Sequence, residues 1–255
     1  MTRWAALAAC IAIVAALVGP AAGAAPSPFA NWAAVVVSGD FHAAHTNNPT
    51  ETFDNARRDV SAELIRKGFS AANLREFSVR PELYPQQKVG KADLEPIYEG
   101  LRDVAQQATG GCLVYFSSHG APQGVVLNGQ ILPPSLMDQL ISDTCGRRPT
   151  VVIISACFSG VFVPALADNN REILTAARPD RSSFGCSESD KYPYFDACML
   201  QVLPQAHDFV ALGPAVQDCV ARREVETGMS PPSEPQFFVG AQLRPILPLM
   251  AFAPG

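Results

Sequence analysis

The sequence predicts an α/β chain built as a three-layer α/β/α sandwich, with helices on both faces of a mostly parallel, roughly six-stranded sheet. Three observations carry this. Short apolar runs such as AVVVS, CLVYF and VVII have no polar alternation, so each reads as a strand buried on both faces. These runs alternate with segments of helical periodicity, which parallel crossovers require. No internal repeat and no linker interrupts them, so residues 25–255 form a single domain.

The elements follow in order. Residues 25–31 are a short leader, and Ala33 to Ser38 form the first strand. A polar loop, Gly39 to Thr50, carries Asp40, His42 and His45. Phe53, Ala56, Val60, Leu64 and Ile65 then recur at helical spacing, with Gly68 where a C-terminal cap belongs. Leu74 to Val79 form the second strand and residues 91–107 the second helix. Gly110-Gly111 punctuates the chain before the third strand, Cys112 to Phe116. Ser135 to Ser142 is a short helix, Val151 to Ile154 the fourth strand, and Glu172 to Ala176 the fifth. Helical pattern returns at 194–203 and 207–225, and Pro235 to Gln242 supplies a last strand.

Composition narrows the function. The 255 residues carry 19 Lys and Arg against 24 Asp and Glu, a net charge of −5 with no basic run, so a nucleic-acid partner is not expected. The one long apolar stretch, Trp4 to Val18, excludes a transporter of many spans. Arg3 precedes that stretch, and Ala22 and Ala24 follow it at the small-residue positions of an export signal cut after Ala24. The expected mature protein is periplasmic or secreted, with no stable membrane span. It keeps Cys112, Cys145, Cys157, Cys186, Cys198 and Cys219.

In doubly wound sheets, sites lie beyond the carboxyl ends of the strands. The third strand ends in Ser117-Ser118-His119-Gly120, and the fourth in Ser155-Ala156-Cys157-Phe158-Ser159-Gly160. If these strands are neighbours, His119 and Cys157 share one rim. An ordinary thiol, with a pKa of about 8.5, is mostly protonated at neutral pH, and an adjacent imidazole raises its thiolate fraction. The same imidazole can protonate a leaving amine. Gly120 has no side chain, so its N–H can approach a substrate carbonyl and pair with the Cys157 N–H as an oxyanion hole. Asp40, His42, Ser118 and Ser155 flank these strand ends and are read as cleft residues. His42-x-x-His45 lacks the spacing of a metal motif, so neither metal nor cofactor is expected. Gly-x-Ser-x-Gly is absent from the fourth-strand turn, which argues against a serine hydrolase.

SSHG, followed by SACFSG, resembles the legumain-like cysteine peptidases of the caspase-like superfamily, which includes the catalytic subunit of the GPI transamidase. The Gly-Asp loop, ILTAARPDRSSFGC and PPSEPQFFVG extend the likeness to the bacterial branch, from Ala33 to Gly240. The resemblance implies a Cys–His dyad, with Cys157 the nucleophile and His119 the acid and base, and peptide substrates. It implies that Arg181, Ser182, Ser183 and Phe184 run beside the substrate backbone. The chain departs from legumains proper where Ser155 replaces an acidic residue two places before the catalytic Cys, and Asp196 stands one place out of register with a pocket carboxylate.

An endopeptidase working through an acyl-enzyme is the leading expectation. A transpeptidase on the same dyad and an inactive peptide-binding relative are the alternatives. The remaining cysteines are either buried thiols or two bridges. Cys112 and Cys145 sit at the N-terminal side of neighbouring elements, and Cys186 and Cys198 are separated by a short polar segment.

Overall fold

The computed structural model describes Met1 and residues 27–254. The export signal expected at Arg3 to Ala24 lies outside the described residues. Among the described residues ten strands and six α-helices follow the order β1 (Trp32–Ser38), α1 (Thr52–Arg66), β2 (Leu74–Ser78), β3 (Val89–Lys91), α2 (Leu94–Gln107), β4 (Gly111–Ser117), β5 (Gly120–Ala121), β6 (Gly124–Leu127), β7 (Gln130–Leu132), α3 (Pro134–Cys145), β8 (Thr150–Ser155), α4 (Phe162–Leu166), β9 (Arg171–Thr175), α5 (Tyr194–Val202), α6 (Phe209–Thr227) and β10 (Gln236–Val239).

The main sheet runs β10-β9-β8-β4-β1-β2-β3. Six strands are parallel and β10 pairs antiparallel with β9 at the edge. The expected six strands therefore become seven. The addition is β3, whose three residues, VGK, carry no apolar run for sequence reasoning to find. A separate three-stranded sheet, β5-β6-β7, folds out of the chain after β4, where Gly and short polar stretches hid strands of two to four residues.

Every residue of β1, β4, β8 and β9 is buried. Alternate side chains feed two cores, as a period of two demands. Val35, Val37, Val114, Phe116, Val152 and Ile154 meet Ile97, Leu101, Leu140 and Phe162 from α2, α3 and α4. Trp32, Ala34, Val36, Leu113, Tyr115, Val151 and Ile153 meet Val60, Leu64, Met199, Leu212 and Val216 from α1, α5 and α6. Burying each large apolar side chain contributes about 1.5–3 kcal/mol. At the N-terminal end of the strands Phe29, Trp32, Phe69, Phe209 and Phe252 stack edge-on and face-on, with centroids 4.8–6.4 Å apart. The long helix α6 starts with the Asp208 carboxylate accepting from Ala211 N at 2.8 Å and stops at left-handed Gly228. Among the described residues no helix is long and apolar enough to cross a membrane.

Cys112 and Cys145 form a disulfide, Cα atoms 6.1 Å apart, which pins the start of β4 to the end of α3. The second bridge corrects the expectation. Cys198 pairs with Cys219 across the packed helices α5 and α6, with Cα atoms 5.7 Å apart, and Cys186 stays a thiol. Nearness in sequence misled because Cys186 sits on a coil tied to the loop after β1, where Ala44 N donates to its carbonyl at 2.7 Å.

Candidate active site

The register of the sheet levels its loops. Ser38 pairs with Ser117, and Ser117 with Ser155, so β1, β4 and β8 end side by side. Gly39 N donates to Ser117 O and Ser118 N to Ser155 O, both at 3.0 Å, which carries the ladder one step further. The loops bearing His42, His119 and Cys157 therefore start from one rigid rim.

His119 is held from two sides. Its Nε2 lies 2.8 Å from the carbonyl oxygen of His42. A carbonyl only accepts, so Nε2 carries the hydrogen, and Nδ1 is left with the lone pair in the neutral ring. The Phe53 ring packs edge-on to the imidazole with centroids 5.0 Å apart. Asp40 shapes the loop that supplies the His42 carbonyl. Its Oδ1 accepts from Phe41 N at 2.7 Å and His42 N at 3.1 Å, and faces His42 Nδ1 at 2.7 Å. These hydrogen bonds stay inside its own loop, so Asp40 bears on His119 through the His42 backbone rather than by direct contact.

Cys157 sits on a tight turn. The next residue, Phe158, has φ 58°, a left-handed conformation that bulky residues rarely adopt, and its N–H donates to Arg181 O at 2.8 Å. Gly120 packs so closely that a Cβ there would lie 2.1 Å from the Cys157 carbonyl oxygen. Val126 N donates to His119 O, which makes Gly120 and Val125 a non-hydrogen-bonded pair of the β5–β6 ladder and leaves the Gly120 N–H unspent by it. The Cys157 thiol accepts from Ser183 N at 3.3 Å and donates to Ser183 O at 3.5 Å.

His119 and Cys157 line one cavity of about 320 Å³, together with His45, Ser183, Phe184, Cys186, Tyr194 and Met229. Gly185, at φ 88°, turns the chain against the Tyr194 ring there. The two walls are tied together, because Glu188 accepts from Thr46 Oγ1 at 2.7 Å and Asn48 Nδ2 at 2.9 Å. Burial, and then the charge of Cys157, push the Cys186 thiol well above the usual range, so it stays protonated. A groove of similar volume between α2 and α3, lined by Leu94, Glu95, Tyr98, Leu136, Leu140 and Asp143, contains no Cys, Ser or His.

Several expected cleft residues are turned away. Ser118 Oγ donates to Val126 O at 2.8 Å. Ser155 Oγ donates to Asp196 Oδ2 at 2.7 Å and Ser117 Oγ to the same oxygen at 2.8 Å, while the Tyr115 hydroxyl takes Asp196 Oδ1. Asp196 is fully buried beneath the rim. Burial pushes its carboxyl up to about 6, against the pull of those three hydroxyls. Ser182 is exposed and outside the cavity lining, whereas Ser183 and Phe184 belong to it. His42 is half-buried, its ring beside Asp40.

Sequence reasoning missed the His42 carbonyl, Phe53, Cys186, Tyr194 and Met229 in these places. Asp196, expected one place out of register with a pocket carboxylate, lies beneath the rim instead, and the hydroxyls that end the apolar strands are a signal that could have placed a buried acceptor there.

A model of the family described as the peptidase C13 family matches residues 32–214. Caspase-1 from Spodoptera frugiperda has a similar structure, with a TM-score of 0.58 over 87% of this chain and 92% of that one. Its sequence identity of 17% makes this a likeness of fold. No curated protein sequence matches the chain.

Proposed function

The chain belongs to the peptidase C13 family, the legumain-type cysteine peptidases, and from that premise we propose that it is an exported endopeptidase working through a Cys157–His119 dyad. The observation that carries the reading is the sharing of one cavity by Cys157 and by a His119 whose Nε2–H is spent on the His42 carbonyl. That bond leaves Nδ1 as the base.

In the proposed cycle the thiol leaves Ser183 O and gives its proton to His119 Nδ1. The thiolate attacks the carbonyl carbon of the scissile bond. The oxygen that becomes negative is met by the Gly120 and Cys157 N–H groups, which the ladder and the turn leave uncommitted. Donors of this kind contribute about 2.7–4 kcal/mol each to the transition state. His119 then protonates the departing amine, and a thioester remains on Cys157. Water gives a proton to Nδ1 and its oxygen to the acyl carbon, which restores the thiol and releases the acid. The Ser183 N–H and C=O, which hold the resting thiol, become available to the substrate backbone as an added strand.

Export rests on the Arg3 to Ala24 pattern, and the two disulfides suit an oxidising compartment.

The test is incubation of the purified protein and its Cys157→Ala variant with a diverse peptide library under mild reduction, read by mass spectrometry. Cleavage by the wild type alone is expected. Equal silence of both folded proteins from mildly acidic to mildly basic pH would remove the reading.

A further inference from the structure

His119 owes its orientation to a backbone carbonyl on a loop, and a loop carbonyl is only as fixed as the loop. Residues 39–51 leave β1 and return to α1 as a polar excursion. Its two stems are Phe41 and Thr50, joined by Thr50 N donating to Phe41 O at 2.7 Å, with Ala43 N to Asn48 O at 2.7 Å above. His42 sits between them, next to Phe41.

One side chain from outside the loop grips both stems. Arg80, just beyond β2, lays its guanidinium 4.8 Å from the centroid of the Phe41 ring. Its Nη2 donates to Thr50 O at 2.9 Å and to Glu51 Oε1 at 3.0 Å. Arg80 is itself anchored, because its backbone N–H donates to Ser78 Oγ at 3.0 Å and its side chain is largely buried. Tyr84 steadies the same Glu51 from the other oxygen at 2.9 Å. The planar guanidinium suits this double task, since its face takes the ring while its edge donates to the carbonyl.

We propose that Arg80 is a positioning residue for His119, acting through Phe41 and Thr50 to fix the His42 carbonyl that holds Nε2. This rests on His119 serving as the base for Cys157. Loosening the loop lets the imidazole swing, and the Nδ1 lone pair then no longer faces the thiol for most of the time. Misplacement of about 1 Å in a reacting group costs up to a hundredfold in rate.

Two readouts separate positioning from simple support of the fold. One is the rate at which iodoacetamide alkylates Cys157, which needs no knowledge of the substrate. The other is solvent exchange of the His119 Nε2–H in nitrogen-15 NMR. Arg80→Gln is expected to slow alkylation roughly ten- to a hundredfold and to speed Nε2–H exchange. Arg80→Lys keeps a cation near Phe41 but not the planar edge that donates to Thr50 O, and is expected to recover only part of the rate. Phe41→Leu removes the ring, leaves the bond to Thr50 and is expected to fall between. A folded Arg80→Gln whose alkylation and exchange superimpose on the wild type overturns the relay while the dyad stands. A His119→Ala variant that alkylates as fast as the wild type overturns the dyad, and the relay with it. If Arg80→Gln does not fold, a folded Phe41→Leu whose alkylation and exchange both superimpose on the wild type overturns the proposal.

Discussion

The two ends of the sheet are built from opposite materials. At the N-terminal end of the parallel strands four phenylalanine rings cluster with a fully buried Trp32, and the Cys112–Cys145 bridge ties β4 to α3. At the C-terminal end there are serines in register, a left-handed Phe158, a thiol resting on a backbone amide, and two loops joined across a cavity. The first end spends its groups on stability. The second leaves N–H groups and a lone pair uncommitted, which a substrate needs and a stable core avoids. Substitutions should therefore divide by end, with activity failing at one and stability at the other.

The largest expected effect is at Gly120. Ala there would drive its Cβ against the Cys157 carbonyl. Peptide cleavage by the folded variant is expected to fall by about 10²–10³, and the forced backbone shift should cost about 1–3 kcal/mol of stability; a variant of normal activity would show that this close approach does not set the site. Next is Trp32→Ala, which opens the aromatic cluster and should cost about 3–5 kcal/mol in denaturant unfolding. Its alkylation rate at Cys157, measured on the fraction still folded, should match the wild type. Loss of that rate would mean the two ends are coupled. Removing the Cys112–Cys145 bridge as a double serine variant should cost about 2–4 kcal/mol, again with the site intact.

The last expected effect is spread over pH. Glu172, the second residue of β9, is almost fully buried near the aromatic end, and burial together with Asp208 pushes its carboxyl up to about 8. The folded state holds a proton that the unfolded state releases near 4.5. Stability from this group is thus full below 4.5 and is lost as pH rises toward 8, by at most about 1.4 kcal/mol per pH unit. Glu172→Gln should flatten that fall in urea midpoints measured between pH 5 and 8. An unchanged slope would place the titration elsewhere.

Legibility in the sequence follows the same divide. The buried strands announce themselves as apolar runs, and the sheet could be laid out from them. His119 and Cys157 stand out because each follows such a run among small residues. The three-residue β3 and the β5–β7 hairpins lack enough residues to show a period. Phe53 reads as one more apolar position on α1, because a ring packed on an imidazole has the same periodicity as a ring packed on leucine. The His42 carbonyl could not be found at all, since every residue has one and only the folded loop selects which is used. Asp196 was half visible. Its type suited a buried acceptor, but its partners Tyr115, Ser117 and Ser155 come from two strands that meet it only in space.

The disulfide pattern also bears on how the protein is made. The bridges span 33 and 21 residues and do not interleave. Each can close as soon as its own stretch of chain has emerged, without waiting for the other. Cys157 and Cys186 fall between them, inside neither loop, and are the next two cysteines in line. From Cys112 onward, an oxidation machinery that simply joined successive thiols would close both bridges but also join these two, which would block the nucleophile proposed at Cys157. The working protein depends on a pairing that skips its middle pair.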